Sequence, residues 1–348
     1  MLTMKIINFI SGKDLGGPKQ SFILYSEVLI NLGFEVRSVI RQGAPLKEIM
    51  QSMDIGVDEV NYIRTTHPWF IKKSIQNLRK SLLPMNASVI FVHKQLDIEL
   101  VRGALGNNIK IVGIIHGFNA KHIEHADMLI AVSEKVKRFL IDSGCNKPIY
   151  VVPNMVKIGN DAIYRDLPAT PLIGAMGVFR RKKGFHILIK ALSILKQKGV
   201  PFKAVIAGKG RITWYLQYLR WKLDLKNELT MRGWVSNKDR DAFVDSIDLY
   251  VLPSRTETFG MVVVEAMARM KRVIATKCGG PEEIITDGVD GFLVEKENPE
   301  AMADKLEELI KNPKNSKVIP GNAYHAAIDK YAIDSVGKNL AKIITDNQ

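Results

Sequence analysis

Asp248-Leu-Tyr-Val-Leu252-Pro-Ser-Arg-Thr-Glu257-Thr-Phe-Gly260-Met-Val-Val-Val-Glu265-Ala-Met-Ala is the stretch that decides the fold. Residues 248–252 form a short apolar run, the length and composition of a buried parallel strand, and Pro253 and Ser254 stop it. A polar turn follows over 256–260, and residues 261–270 are rich in Ala, Met and Glu, which favour helix. Strand, turn and helix in that order put the turn at a strand's carboxyl end, where open α/β sheets bind ligands. The amides around Phe259, Gly260 and Met261 open the expected helix without intrahelical partners, an arrangement suited to phosphate. Glu257 lies just outside that helix and Glu265 about a turn inside it, eight positions on. One carboxylate can then reach beyond a bound phosphate while the other accepts hydrogen bonds from hydroxyls behind it, which fits a nucleotide-linked sugar.

Working outward, short apolar runs at 5–10, 36–40, 89–92, 111–115, 128–132 and 149–152 alternate with segments of helical period such as 20–32 and 134–142. A second series of strand-like runs covers 172–176, 203–207, 229–231, 249–252, 273–275 and 292–294. Strands alternating with helices imply βαβ units around parallel sheets, so the expectation is α/β with two Rossmann-like, doubly wound domains facing a cleft. The expected boundaries are a first domain over 1–160, a polar linker over 161–171, a second domain over 172–322 and a helical tail over 323–348.

Composition narrows the class. The 348 residues are 46% hydrophobic and 25% charged, ordinary for a soluble globular protein and long enough for two cores. Cys145 and Cys278 stand far apart with no metal-ligand spacing around them, which disfavours a disulfide framework and fits a reducing cytoplasm. The first ten residues read as a strand interrupted by Asn8 rather than as a signal peptide, and no run reaches the roughly 18 apolar residues of a membrane span. A net charge of +14 favours anionic partners such as lipid headgroups or phosphorylated substrates.

The Glu257/Glu265 spacing resembles the glutamate pair of the retaining GT-B-fold glycosyltransferases of the large fourth family (glycosyl transferases group 1). Other segments resemble that family in the same order: Ala126 to Glu134, Val151-Val-Pro-Asn154, Gly177 to Gly184, Val205-Ile-Ala-Gly208, Arg232-Gly-Trp234 and Gly279 to Val294. The resemblance is weak before Ile111 and strong from Ala126 to Val294. It implies transfer of a sugar from a UDP- or GDP-sugar to a hydroxyl of a lipid-linked or saccharide acceptor, such as a lipopolysaccharide or glycolipid precursor. It also implies no cofactor and no metal, a C-terminal helix within 323–348 that crosses back to the first domain, and a cytoplasmic enzyme peripheral to the inner face of a membrane. Retention without an enzymic nucleophile would mean attack on the face from which the diphosphate leaves.

By the same resemblance Glu257 contacts the donor sugar near its reacting carbon and Glu265 the ribose hydroxyls, while Thr258, Phe259, Gly260, Met261 and Val262 line the diphosphate and sugar. Gly208 and Trp234 border the base. Lys183 matches the family's phosphate lysine, but the family's arginine is replaced by Val178, so either Arg180 or Arg181 takes over or the diphosphate is held less tightly. A run of cations is otherwise a solvated loop. His116, ending the run 111–115, matches a family histidine near the scissile bond, and its bland reading is a loop histidine bonded to backbone. His122, Glu124 and His125 lie close by but match no zinc spacing. Gly16 and Gly17 follow the first strand and permit close approach of a phosphate or acceptor, or simply form a tight turn.

Residues 69–82 alternate apolar and cationic positions, the composition of an interfacial helix or of an ordinary amphipathic one. The comparable stretch 214–222 is expected to pack into its own domain. Two rivals stay open: a sugar-nucleotide epimerase of the same architecture, and a basic protein binding nucleic acid or anionic membrane through a degenerate sugar site. The chain carries no aromatic-and-basic RNA-recognition pattern, so nucleic acid is not an expected partner.

Overall fold

The computed structural model describes residues 4–12, 17–63, 67–159, 161–236 and 239–347, and these divide into two compact units, Met1–Met155 with Ile333–Gln348, and Val156–Ala332. Each is an α/β unit with one wholly parallel sheet, as the alternation of runs implied. Such strands are covered on both faces, so they read as continuous apolar runs rather than alternating ones.

In the first unit, β1 (Lys5–Ile10), β2 (Glu35–Arg41), β3 (Val57–Val60), β4 (Val89–Val92), β5 (Lys110–Ile115), β6 (Met128–Ala131) and β7 (Ile149–Val151) line up in the order β3-β2-β1-β4-β5-β6-β7. The order reverses between β1 and β4, which are paired from Ile6 against Val89 to Phe9 against Val92. Loops at the carboxyl ends of those two strands flank the crevice that such a reversal creates. β3 escapes the apolar pattern because it is an edge strand with two acids in four residues. Asp58 takes a paired contact from Arg37, and Glu59 is held by Lys47 and the Gly43 amide.

The second unit contains β8 (Leu172–Met176), β9 (Lys203–Ala207), β10 (Leu229–Arg232), β11 (Leu249–Leu252), β12 (Arg272–Thr276) and β13 (Phe292–Val294) in the order β10-β9-β8-β11-β12-β13. Its reversal falls between β8 and β11, which pair at Leu249 with Ile173 and Tyr250 with Gly174. Gly174 leaves room there for Ile247, whose side-chain atoms lie 2.5 Å from where a Cβ would stand.

The expected tail is two helices with different allegiances. Helix Ile319–Tyr331 stays with the second unit, which therefore runs to Ala332, and Val156 pairs with Ala332 at an isolated parallel bridge. Helix Ile333–Asp346 joins the first unit. Its Val336, Leu340, Ile343 and Ile344 recur at helical spacing and pack into one core with Leu24, Tyr25, Val28 and Leu29 of helix Gly17–Asn31. Each such side chain gains about 1.5–3 kcal/mol on burial, enough to fix the helix in place. No helix among the described residues is long and apolar enough to cross a membrane.

Candidate functional site

In the second unit the loops after β8 and β11 meet across the sheet reversal. Lys183 ends the short helical turn Arg181–Lys183 after β8, and its Nζ lies 2.5 Å from Glu257 Oε1. Ser254, two residues after β11, donates its hydroxyl to the same oxygen at 2.7 Å. The Glu257 backbone is also pinned: its amide donates to the Cys278 carbonyl at 3.1 Å, and its carbonyl accepts from the Gly280 amide at 3.0 Å. The acid is thus fixed by backbone from the loop after β12, by the Lys183 side chain from the loop after β8 and by Ser254 of its own loop. Such a group is presented in one geometry rather than searching for one.

The close approach of these loops depends on Gly184. Its φ is +66°, and a Cβ would stand 1.7 Å from the Pro253 carbonyl oxygen, so no other residue lets the β8 loop lie against the end of β11.

Glu265 sits in helix Met261–Met267, three residues shorter than the sequence implied. The side chain is 7% exposed and pairs with Arg240 through Oε1, while its buried Oε2 has no protein partner. Burial pushes its pKa up against the opposing pull of the Arg240 guanidinium. A buried carboxylate oxygen without a partner is costly, which marks it as an acceptor for something the protein does not itself supply.

Around this core, the Gly208 amide donates to the carbonyls of Arg232 and Gly233 at 3.2 and 3.1 Å, tying the loops after β9 and β10 together beside Trp234, which is exposed. Thr258, Met261 and Val262 are half-buried near the helix start, and Gly260 is buried with φ +108°. The Phe259 ring departs from its expected lining role: it is buried against Tyr331, centroids 5.5 Å apart, leaving only its backbone near Glu257. Arg180 and Arg181 are both exposed, next to the half-buried Val178.

The first unit, taken by itself, contains a buried polar chain at its own sheet reversal. His116 follows β5 and His93 follows β4; His116 Nε2 and His93 Nδ1 are 3.1 Å apart, and His93 Nε2 lies 2.9 Å from Asn8 Oδ1 in β1. The Asn8 amide group donates to the Phe22 carbonyl at 3.0 Å and to Ser26 Oγ at 2.8 Å. Ser38 Oγ donates in turn to Ser26 Oγ at 2.9 Å. These contacts settle the proton positions. Because the Asn8 NH₂ must face the Phe22 carbonyl, Oδ1 faces His93 and accepts its Nε2–H. Neutral His93 then has only a lone pair at Nδ1, so His116 must carry its proton on Nε2 and its lone pair on Nδ1.

Both rings are held neutral. Burial lowers the His93 pKa well below its usual range, and the charge of Lys19 adds to the effect. Burial, with Lys94 second, lowers that of His116 to about 3. The structure therefore presents His116 as an uncharged imidazole of fixed tautomer.

Sequence reasoning named His116 but missed Asn8 and His93. The signal for His93 was available, because it follows the apolar run 89–92 just as His116 follows 111–115. Ser254 and Arg240 were also missed; Arg240 precedes Glu265 by 25 residues with no local pattern joining them. Gly16 lies outside the described residues. Gly17 opens helix Gly17–Asn31 with nothing within 4 Å of where a Cβ would stand, so no packing demand explains it. Of the histidine cluster, His122 Nδ1 pairs at 2.8 Å with Glu99 rather than with Glu124, and Glu99, His122 and His125 bring ligand-type atoms within 4.8 Å of one another. Helix Gln95–Leu105 uses one face to hold that loop: Gln95 donates to the Asn119 carbonyl at 2.5 Å, Glu99 pairs with His122, and Arg102 donates to the His125 carbonyl at 2.9 Å.

Comparison with known proteins identifies this arrangement. Residues 165–326 match the family described as glycosyl transferases group 1, and residues 15–159 match glycosyltransferase family 4. Both matches are to glycosyltransferases, that of the second unit to group 1. The chain is 26% identical over 322 residues to the lipopolysaccharide core biosynthesis glycosyltransferase LpsE of Rhizobium meliloti, covering 88% of this chain and 89% of that one. It is 33% identical over 201 residues to an uncharacterized glycosyltransferase of Methanocaldococcus jannaschii, covering 57% of this chain and 54% of that one. The chain thus spans about half the length of that second relative. Among solved structures it resembles Anabaena HepE in complex with UDP and glucose, with a TM-score of 0.82, 20% identity and coverage of 98% and 99% of the two chains. That likeness establishes the GT-B fold.

Proposed function

We propose that this protein is a retaining glycosyltransferase in which the second unit binds a nucleotide-sugar and the first unit receives a hydroxyl acceptor. The observation that carries the reading is the buried, unpartnered Oε2 of Glu265, on the helix that directly follows the loop carrying the Lys183-bound Glu257. A ribose hydroxyl supplies the donor that oxygen lacks, and a diphosphate next to it falls within reach of Lys183. On binding, Lys183 exchanges its contact with Glu257 for the phosphate, and Glu257, still held by Ser254 and its backbone partners, is left free of the lysine to meet the sugar.

In the transfer itself the bond between the anomeric carbon and the diphosphate oxygen breaks, and its electron pair stays on the diphosphate. The acceptor oxygen bonds to that carbon from the same face, and its proton passes to the departing oxygen. Lys183 offsets the charge that develops there, which is the largest single task such a site performs. In the first unit, neutral His116 offers a hydrogen-bond acceptor to a hydroxyl without adding a positive charge of its own.

Similarity to LpsE supports a lipopolysaccharide or related envelope saccharide as acceptor, and the HepE complex supports a uridine nucleotide as the first donor to try. Helix Pro68–Leu82, with Trp69 and Phe70 exposed next to Lys72 and Lys73, supports an acceptor at a membrane surface.

The test is a thermal-shift panel of UDP-, GDP- and ADP-sugars on the wild type and on Glu265→Gln. A ligand at 100 times its Kd adds about 2.7 kcal/mol to stability, an easily read shift. One nucleotide should raise the melting temperature of the wild type and do so much less in the variant; no response to any nucleotide would remove the reading. Chromatography of the incubated donor alone then separates transfer from epimerisation, because only an epimerase alters the sugar without an acceptor.

A further inference from the structure

All four tryptophans of the chain are more than half exposed, and two of them belong to a stripe that no part of the proposed transfer site uses. Helix Thr213–Lys222 carries Trp214, Tyr218 and Trp221, which are 70%, 45% and 60% exposed. At about 100° per residue these three positions fall within a 60° arc. Leu216 and Leu219, which pack into the core of the second unit, lie on the opposite side. The helix is therefore apolar on both faces, and only one is covered. The expectation that this stretch is spent on core packing holds for Tyr215, Leu216 and Leu219 and not for the stripe.

The surroundings of the stripe are cationic. Arg211, Lys222 and Lys226 are exposed around it, and Lys222 Nζ lies 6.0 Å from the Tyr218 ring centroid. The acids of residues 211–228, Asp224 and Glu228, both pair with Lys196. The net charge of the chain is +14. Indole and phenol rings set among ammonium and guanidinium groups are the composition that settles at a lipid–water boundary, with rings at headgroup depth and cations on lipid phosphates.

We infer that the Trp214-Tyr218-Trp221 stripe is a docking surface of the second unit for anionic membrane, separate from helix Pro68–Leu82 of the first unit. The inference stands apart from the transfer chemistry, because vesicle binding requires neither donor nor acceptor. Charge complementarity selects lipid over a protein partner: an interface with another copy of this chain would set these cations against themselves.

The experiment is co-sedimentation of the full chain with phosphatidylcholine vesicles, with and without phosphatidylglycerol, for the wild type, Trp214→Ser/Trp221→Ser and Trp69→Ser. Both substituted positions in the pair are exposed, so the fold is expected to persist, and an unchanged melting temperature checks it. The wild type should sediment with the anionic vesicles and be released by salt, and the paired variant should partition about tenfold less. The proposal is overturned if the wild type ignores anionic vesicles, if the paired variant sediments as the wild type does, or if only Trp69→Ser reduces binding. It is also overturned if the wild type self-associates in sedimentation velocity and the paired variant does not, since the stripe would then be a contact between copies.

Discussion

Asn8→Leu should release the tautomer of a histidine it never touches. In the wild type, moving the His93 proton to Nδ1 would turn the Nε2 lone pair onto Asn8 Oδ1 and forfeit the 2.9 Å contact between them. Losing one buried hydrogen bond costs about 1–3 kcal/mol, which confines that alternative to between roughly 1 and 15 per cent of molecules. Leucine offers no acceptor, so the penalty vanishes from the choice of tautomer and reappears as lost stability of the same 1–3 kcal/mol, since the His93 Nε2–H then faces hydrocarbon. The rest of the relay survives, because Ser26 Oγ still donates to the Phe22 carbonyl and still accepts from Ser38. Long-range nitrogen–proton NMR of the ring nitrogens reads the result directly. Wild-type His116 should show a protonated Nε2 and a bare Nδ1, and the variant a mixture of the two forms, with kcat/KM falling while donor binding by the second unit is unchanged. A wild-type His116 protonated at Nδ1, or a leucine variant with undiminished Nε2 protonation, would refute the assignment.

Lys183→Ala should lower kcat by a factor of about 10²–10³, the scale of losing one group that stabilises developing charge, without unfolding the protein; a variant within twofold of wild type would take Lys183 out of the reaction. Gly184→Ala forces a side chain into the left-handed region and onto the Pro253 carbonyl 1.7 Å away, so a loss of about 2 kcal/mol or more in urea unfolding is expected, together with weakened nucleotide-induced shifts. The pH dependence follows from His93, whose folded pKa is depressed below the usual 6.5. The unfolded chain binds a proton there that the folded chain refuses, so the contribution is complete above that value and is lost as pH falls below it, by up to about 1.4 kcal/mol per pH unit. Urea midpoints between pH 7 and 5 should therefore fall less steeply for His93→Gln than for the wild type, and parallel slopes would show that His93 does not set them.

The second unit was legible because its site is written locally. The strand, turn and helix around Glu257 fall within one contiguous stretch, and a glycine at 184 or 260 marks its own turn. What pattern could not supply were the partners that arrive from elsewhere in the chain: Arg240 on Glu265 and Glu99 on His122. The polar edge strand Val57–Val60 was passed over because half its residues are acids, and the outward face of helix Thr213–Lys222 because leucine and tryptophan read alike as apolar. Asn8 is the instructive case. As an interruption in an apolar run it argued against a signal peptide, but the same interruption had a second consequence. A strand buried on both faces has no water for an amide, so Asn8 at 0% exposure must have bonded partners inside the unit. The sheet reversal between β1 and β4 puts the residue following β4 within its reach, and that residue is His93. A lone polar residue in a doubly covered strand next to such a reversal therefore points to the group it orients, and through His93 that group is His116.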